Sequence, residues 1–191
     1  MKKTVLAIIP ILTVFGFALI QEGCTKAPSP EEIKDSIEIV DVETKWVKKE
    51  YFPWPPKLIL APAISFRVKN LSEKPLRYVN IFANFRLRNE SENLGDRFFP
   101  VFQKKPLMPE ELSDIFLMIC NFGFEGKNVA DFKNNPAWKI ADVKLFIRTK
   151  GSQPVLLGEW EVSRKIDFKE PEPYPPKKKE KKSLSSKKSL S

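Results

Sequence analysis

No histidine occurs among the 191 residues, and that absence removes most familiar catalytic templates at once. Ser-His-Asp and Cys-His nucleophilic systems, the usual zinc sites and the commonest general base near neutral pH all need an imidazole. Glycine is scarce as well. The chain has seven, and none forms a phosphate-cradling loop; the nearest spacing is Gly123 with Gly126. Two cysteines, Cys24 and Cys120, are too few for a disulfide framework, and Cys120 within IFLMIC reads as a small buried hydrophobe. The adjacent carboxylates Glu31-Glu32, Asp41-Glu43 and Glu110-Glu111 read as solvated charges rather than acid-base pairs. The SENLGD stretch, with Glu92, Asn93 and Asp96, is a loose calcium candidate set against a plain polar turn. No enzyme activity, cofactor or metal is expected.

What is present begins with the leader. Lys2 and Lys3 precede an apolar run over residues 5–20, the charged and apolar regions of an export signal. The run is short for a span of about 20 apolar residues, and Pro10 lies in its middle. QEGC follows and resembles the bacterial lipoprotein signal, in which a small residue precedes the cysteine that becomes lipidated. Gly23 fits that pattern, while Gln21 and Glu22 depart from it. Three fates are open: lipidation at Cys24, an uncleaved anchor, or ordinary cleavage. All three put the remainder in the bacterial cell envelope, facing the periplasm or the exterior, with residues 1–23 as signal peptide. Residues 24–35 read as a tether stiffened by Pro28 and Pro30. Ser29-Pro30-Glu31-Glu32 matches a capping box worth at most one helical turn.

Charge divides the chain further. The formal net charge is +9, and residues 170–191 hold seven lysines against three glutamates, almost half of the surplus. With proline clusters and little apolar mass, this segment is expected to stay disordered. Lys177, Lys178, Lys179, Lys181 and Lys182 make it a candidate contact for anionic polymer or lipid head groups, or simply a solubilising end. Nucleic acid is not expected as a partner in that compartment.

Residues 36–169 form about one domain's worth of chain, and their dominant period is two. Ile64, Phe66 and Val68 alternate with Ser65, Arg67 and Lys69; Val79, Ile81, Ala83, Phe85 and Leu87 alternate with polar or outward neighbours. These two runs, with N-L-S-E-K-P between them, read as adjacent antiparallel strands joined by a short loop. Further strands are expected at residues 37–48, 98–103, 115–122, 140–148 and 156–168, with one short helix at 128–134 capped by Asn128 and ended by Pro136. About seven strands and no βαβ rhythm predict an all-β, antiparallel two-sheet sandwich of immunoglobulin-like topology.

The stretch VKNLSEKPLRYVNIFANFRLRN resembles the FxLYD-type immunoglobulin-like domain of bacterial envelope proteins. There, a strand ending in Asn leads through a polar turn into a strand closing on Phe-x-Leu-Tyr-Asp. Phe85 and Leu87 match, Arg88 and Asn89 stand for the Tyr and Asp, and Gly95 and Pro109 follow, with Glu110 where Gly is common. The resemblance covers residues 68–111, supports the fold and carries no catalytic residue.

Exposed aromatics complete the reading. YFPWPP sets Tyr51, Phe52 and Trp54 among three prolines, a segment too proline-rich for a sheet interior, so a loop presenting rings is expected, or a loop folded back as a plug. Phe98, Phe99 and Phe102 tilt toward the core. Two functions stay open: a membrane-anchored, non-catalytic module that holds an envelope protein through a sandwich edge or the 51–56 loop, and a binder of anionic glycan or cell-wall polymer through those rings and basic residues.

Overall fold

The computed structural model describes residues 29–136, 138–149 and 151–171, so the leader, Cys24 and the lysines Lys177, Lys178, Lys179, Lys181 and Lys182 lie outside the described residues. The order of elements is α1 (Pro30–Asp35), β1 (Ile37–Pro53), β2 (Pro56–Asn70), β3 (Val79–Leu87), β4 (Asn93–Val101), β5 (Phe116–Ile119), β6 (Phe124–Gly126), α2 (Val129–Asn134), β7 (Ala141–Arg148), β8 (Val155–Val162) and β9 (Ile166–Asp167). Among the described residues no helix is long and apolar enough to cross a membrane.

Two sheets face one another. One runs β5-β2-β1-β9 with β6 also on β2, and the other runs β4-β3-β7-β8. In immunoglobulin lettering, β1 and β2 take positions A and B, β5 and β6 share E, and β4, β3, β7 and β8 take C′, C, F and G. Nine strands therefore occupy seven positions plus the two-residue β9. The chain is an all-β sandwich, as its alternation predicts.

Alternation decides which side chains meet between the sheets. Ile81, Ala83, Phe85 and Leu87 of β3 pair in register with Ile147, Leu145, Val143 and Ala141 of β7, Val79 of β3 pairs with Val101 of β4, and every one of them is buried. Leu58, Leu60, Ile64, Phe66 and Val68 of β2 face them from the other sheet, in one continuous core. Each such side chain contributes about 1.5–3 kcal/mol by leaving water, so this double row outweighs any polar contact on the surface.

One position is split for a local reason. Trp46 stands opposite Pro62, and the Trp46 N–H points outward to Lys165 O at 2.8 Å, so the nitrogen of Pro62 faces the E position. Pro62 has no proton to offer there and only accepts, from the Cys120 N–H at 3.0 Å. The ladder breaks at residues 120–123. Gly123 crosses β2 so closely that a Cβ would lie 2.4 Å from the Leu60 carbonyl oxygen.

Several expectations need correction. β2 and β3 do not form a hairpin: β2 pairs with β1, β5 and β6, while β3 pairs with β4 and β7 in the other sheet. The turn between them is the crossover from position B to position C. The 24–35 tether also ends earlier than expected, because α1 carries the full Ser29–Glu32 capping box and buries Ile33 in the core. Residues 29–35 are thus part of the packed body. At the other end, Glu170 is still engaged, its Oε1 accepting from the Val129 N–H at the start of α2. Asn128 caps α2 as expected, its Oδ1 accepting from Asp131 N at 3.1 Å.

Candidate interaction surfaces

β1 and β2 run together past the body of the sandwich and turn at its far end. Pro53 and Pro56 are the last paired residues, and Trp54-Pro55 forms the turn with a cis peptide bond. Prolines are tolerated here because the strands pair only with each other so close to the tip. The expectation that the segment lies outside a sheet is thus corrected for residues 51–53, which belong to β1, and for Pro56, which opens β2. The three candidate rings separate: Trp54 is 87% exposed and Phe52 48% exposed, whereas Tyr51 turns inward to Phe168 at 5.2 Å.

The two flanks of the sandwich differ. On one, the chain leaving β8 crosses to pair β9 in parallel with β1. Thr44 Oγ1 donates to Glu161 O and accepts from Ser163 N, both at 2.9 Å. Lys45 lies 2.7 Å from Asp167, and Lys165 lies 2.7 Å from Glu43. Hydrogen bonding to Lys165 holds Glu43 below its ordinary carboxylate range, and Lys45 does the same to Asp167. Asp167 in turn raises Lys45.

On the other flank, β4 and the β5/β6 position end their sheets unpaired. Phe99 and Phe102 each approach Phe116 at 5.9 Å, and beside them Leu112, Lys104 and Lys105 line a groove of about 490 Å³. Leu117 is 51% exposed on the edge strand next to it, and Ile115, just before that strand, is 61% exposed. Phe98 and Phe99 are therefore not core residues. Phe98 pairs with Phe82 on the outer face, ring to ring at 5.0 Å, and Phe99 points into the groove.

The loop that lines this groove is held by a polar latch behind it. Asn70 is fully buried at the end of β2, where its Nδ2 donates to Lys74 O at 2.9 Å and Leu107 O at 3.0 Å. Its Oδ1 accepts from Ser72 N at 2.9 Å and from Ser72 Oγ at 2.7 Å. Glu111 completes the loop by accepting from Met108 N at 2.8 Å and Lys105 Nζ at 3.1 Å, contacts that lower its titration. The strand-ending Asn in the family-like stretch is thus a structural residue.

Two smaller readings can be placed. Cys120 is buried against β4 at Gly95, where an added Cβ would lie 2.8 Å from its sulfur, and burial pushes its thiol up, away from reactivity. In SENLGD, Asn93 opens β4, and the Asp96 carboxylate accepts from Asn121 at 3.4 Å. No group of three candidate ligands occurs among the described residues. The carboxylates with a clear shift, Glu43, Glu111 and Asp167, all move down, away from the raised value a general acid needs.

No protein-family model and no curated protein matches the chain in sequence. Solved structures resemble it at low similarity. The solution structure of AT1g01470 from Arabidopsis thaliana is 12% identical over 79% of this chain and 91% of that one, with a TM-score of 0.41. A crystal structure of a protein from Archaeoglobus fulgidus is 14% identical over 67% of this chain and 98% of that one, with a TM-score of 0.35.

The expected strand at residues 115–122 does not by itself reveal the open-flank surface, because that run is apolar almost throughout. Its signal was alternation within that run: Phe116, Met118 and Cys120 turn inward, while Ile115 and Leu117 turn out.

Proposed function

We propose that the chain is a lipoprotein of the bacterial cell envelope, anchored at Cys24, whose immunoglobulin-like domain holds a protein partner and catalyses nothing. The observation that carries this reading is the open flank, where Phe99, Leu112, Ile115 and Leu117 are exposed, with Phe102 and Phe116 partly buried behind them, beside two unpaired strand edges. Large apolar side chains clustered at free edges mark contact surfaces, because a monomer gains nothing from leaving them wet. Edge strands also offer backbone donors and acceptors to an added strand. The downward-shifted carboxylates and the absence of histidine support a contact role over a chemical one.

The test places a photocrosslinking residue at Leu117 of the full chain in its envelope, and separately at Leu156 on the opposite edge strand. A single discrete adduct at Leu117, absent at Leu156 and abolished by Phe99→Asp, is the expected result. Equal labelling at both positions, or retention of the adduct in Phe99→Asp, overturns the flank assignment. Intact mass of the membrane-extracted chain tests the anchor: a diacylglyceryl addition at Cys24 is expected, and an unmodified mature cysteine removes that part of the reading. The glycan alternative predicts salt-sensitive retention on insoluble cell wall that Trp54→Ala reduces.

A further inference from the structure

The four-stranded sheet turns a face to water that is not polar throughout. β3 carries Phe82 on that side, and the register sets it beside Phe98 of β4 and Phe146 of β7, which in turn stands opposite Leu156 of β8. Three rings and a leucine thus form one row across all four strands. Phe98 and Leu156 are exposed, and Phe82 and Phe146 are half-buried. None of the four belongs to the core, which the inward positions of the same strands already fill. The outer face of an antiparallel sheet is ordinarily polar, so an apolar row there marks a surface that something covers.

We propose that a second copy of this chain covers it, sheet against sheet, about a two-fold axis that runs along the strands between β3 and β7. That axis sets β3 of one copy over β7 of the other, and β4 over β8. Phe82 then meets Phe146, Phe98 meets Leu156, and the apolar row packs on itself. The charges agree with the same axis. Arg86 is exposed and has no ion pair among the described residues, whereas Arg88 alone serves both Asp142 and Glu161. Arg86 shares a register position with Asp142, so the axis brings it over the other copy's Asp142, beside Glu161. Asp96 comes to stand opposite Glu159, a like-charge meeting offset by Lys144, which pairs with Glu159 at 3.3 Å. The face is also large enough. With eight residues in each of β7 and β8, a rise of about 3.4 Å per residue and four strands about 4.8 Å apart, it offers about 500 Å² on each copy. The total of about 1,000 Å² is where specific interfaces begin. A glycan fits less well, because the Phe82 and Phe98 rings are tilted by 49° and suit interdigitation with other side chains rather than flat stacking under sugar rings.

This face is separate from the open flank, so the inference stands or falls apart from the partner and anchor readings. A photocrosslink from Leu156 would join two copies and double the chain's mass, which sets it apart from an adduct with another protein at Leu117. For the decisive test, the full chain is sedimented to equilibrium in density-matched detergent over a range of protein concentrations. A reversible dimer is expected. Phe82→Lys should weaken it at least about a hundredfold, because the two-fold axis removes the ring twice. Phe99→Asp, on the open flank, should leave it unchanged. Arg86→Glu and Asp142→Lys should each weaken it about tenfold or more by setting like charges face to face. Mixed in equal amounts, those two variants should associate as tightly as the unaltered chain, since each offers the charge that the other lacks. A monomer at every concentration overturns the proposal, as does a dimer that Phe82→Lys leaves undiminished or that Phe99→Asp abolishes. Two folded charge variants that do not recover on mixing overturn it too. If Phe82→Lys or Asp142→Lys fails to fold by its melting curve, Arg86→Glu decides, at an exposed position with no ion pair to lose: undiminished association there overturns the proposal.

Discussion

The closed and open flanks solve one problem in opposite ways. Every two-sheet sandwich has four edges, and each unpaired edge is a template for another chain. On the closed flank, the chain itself bridges the sheets: β9 crosses to β1, and Thr44 ties the crossover to the end of β8. On the open flank, β4 and β5 are left without a further strand, and the surface beside them is apolar. Polar groups there are spent inward, on the Asn70 and Glu111 contacts that shape the groove. The difference argues that one flank is sealed by covalent continuity, while the other is held from beneath by buried polar contacts and keeps its contact surface free.

The largest effect expected from breaking this contrast is at Asn70. Asn70→Ala strips two donors and one doubly used acceptor from a fully buried site, leaving Leu107 O and Lys74 O without the amide. Both carbonyls keep a second donor, Leu76 N for Leu107 O and Ser72 Oγ for Lys74 O; four hydrogen bonds are lost at about 0.5–1.5 kcal/mol each, so a loss of about 3 kcal/mol is expected in urea unfolding. The loop 102–112 should also lose amide-exchange protection before β7 does. If β7 and that loop lose protection together, the latch is not local and the open flank is no separate unit.

Thr44→Ala is the matching change on the closed flank. It removes one donor and one acceptor at an exposed site, where water can replace both partners, so about 1 kcal/mol is expected. The contrast sharpens if amide exchange rises only at Ser163 to Asp167 and leaves the groove untouched. It breaks if Thr44→Ala costs as much as Asn70→Ala.

Legibility followed the same division. β3 was readable to its exact ends because its inward and outward residues alternate without interruption, as they must on a sheet with one wet face. Asn128 and Ser29 were readable because helix caps are local chemistry. The partner of β2 was not, because a polar turn between two alternating strands is the same in a hairpin as in a crossover; only the second sheet, far away in sequence, decides. Phe98 and Phe99 misled for a related reason. β propensity says that a ring fits a strand and is silent on which side of an edge strand it will face. The tip was half legible: proline content points to a loop within residues 51–56, but Phe168, which packs on Tyr51, lies just past the last strand of the domain.

The smallest effect distinguishes the closed flank by its electrostatics. Lys45 bridges Asp167 and Glu43, while Lys165 reaches Glu43 from the crossover. Asp167 and Glu43 titrate below their ordinary values, so their contribution is complete above the usual carboxylate range and fades as pH falls through the lowered folded values. Lys45 titrates above its ordinary value, so its share is complete below the usual lysine range and fades only as pH rises through the raised one. Between those limits, Lys45→Met should lower the melting temperature slightly. The deficit should vanish in strong acid, when both carboxylates are protonated. Because these groups face water, salt near 1 M should shrink it too, the screening length there being about 3 Å. A deficit that persists in acid or is indifferent to salt would mean that Lys45 does not act through its charge, since Met keeps most of the apolar stem. The closed flank would then owe its closure to the covalent crossover and the Thr44 bonds alone.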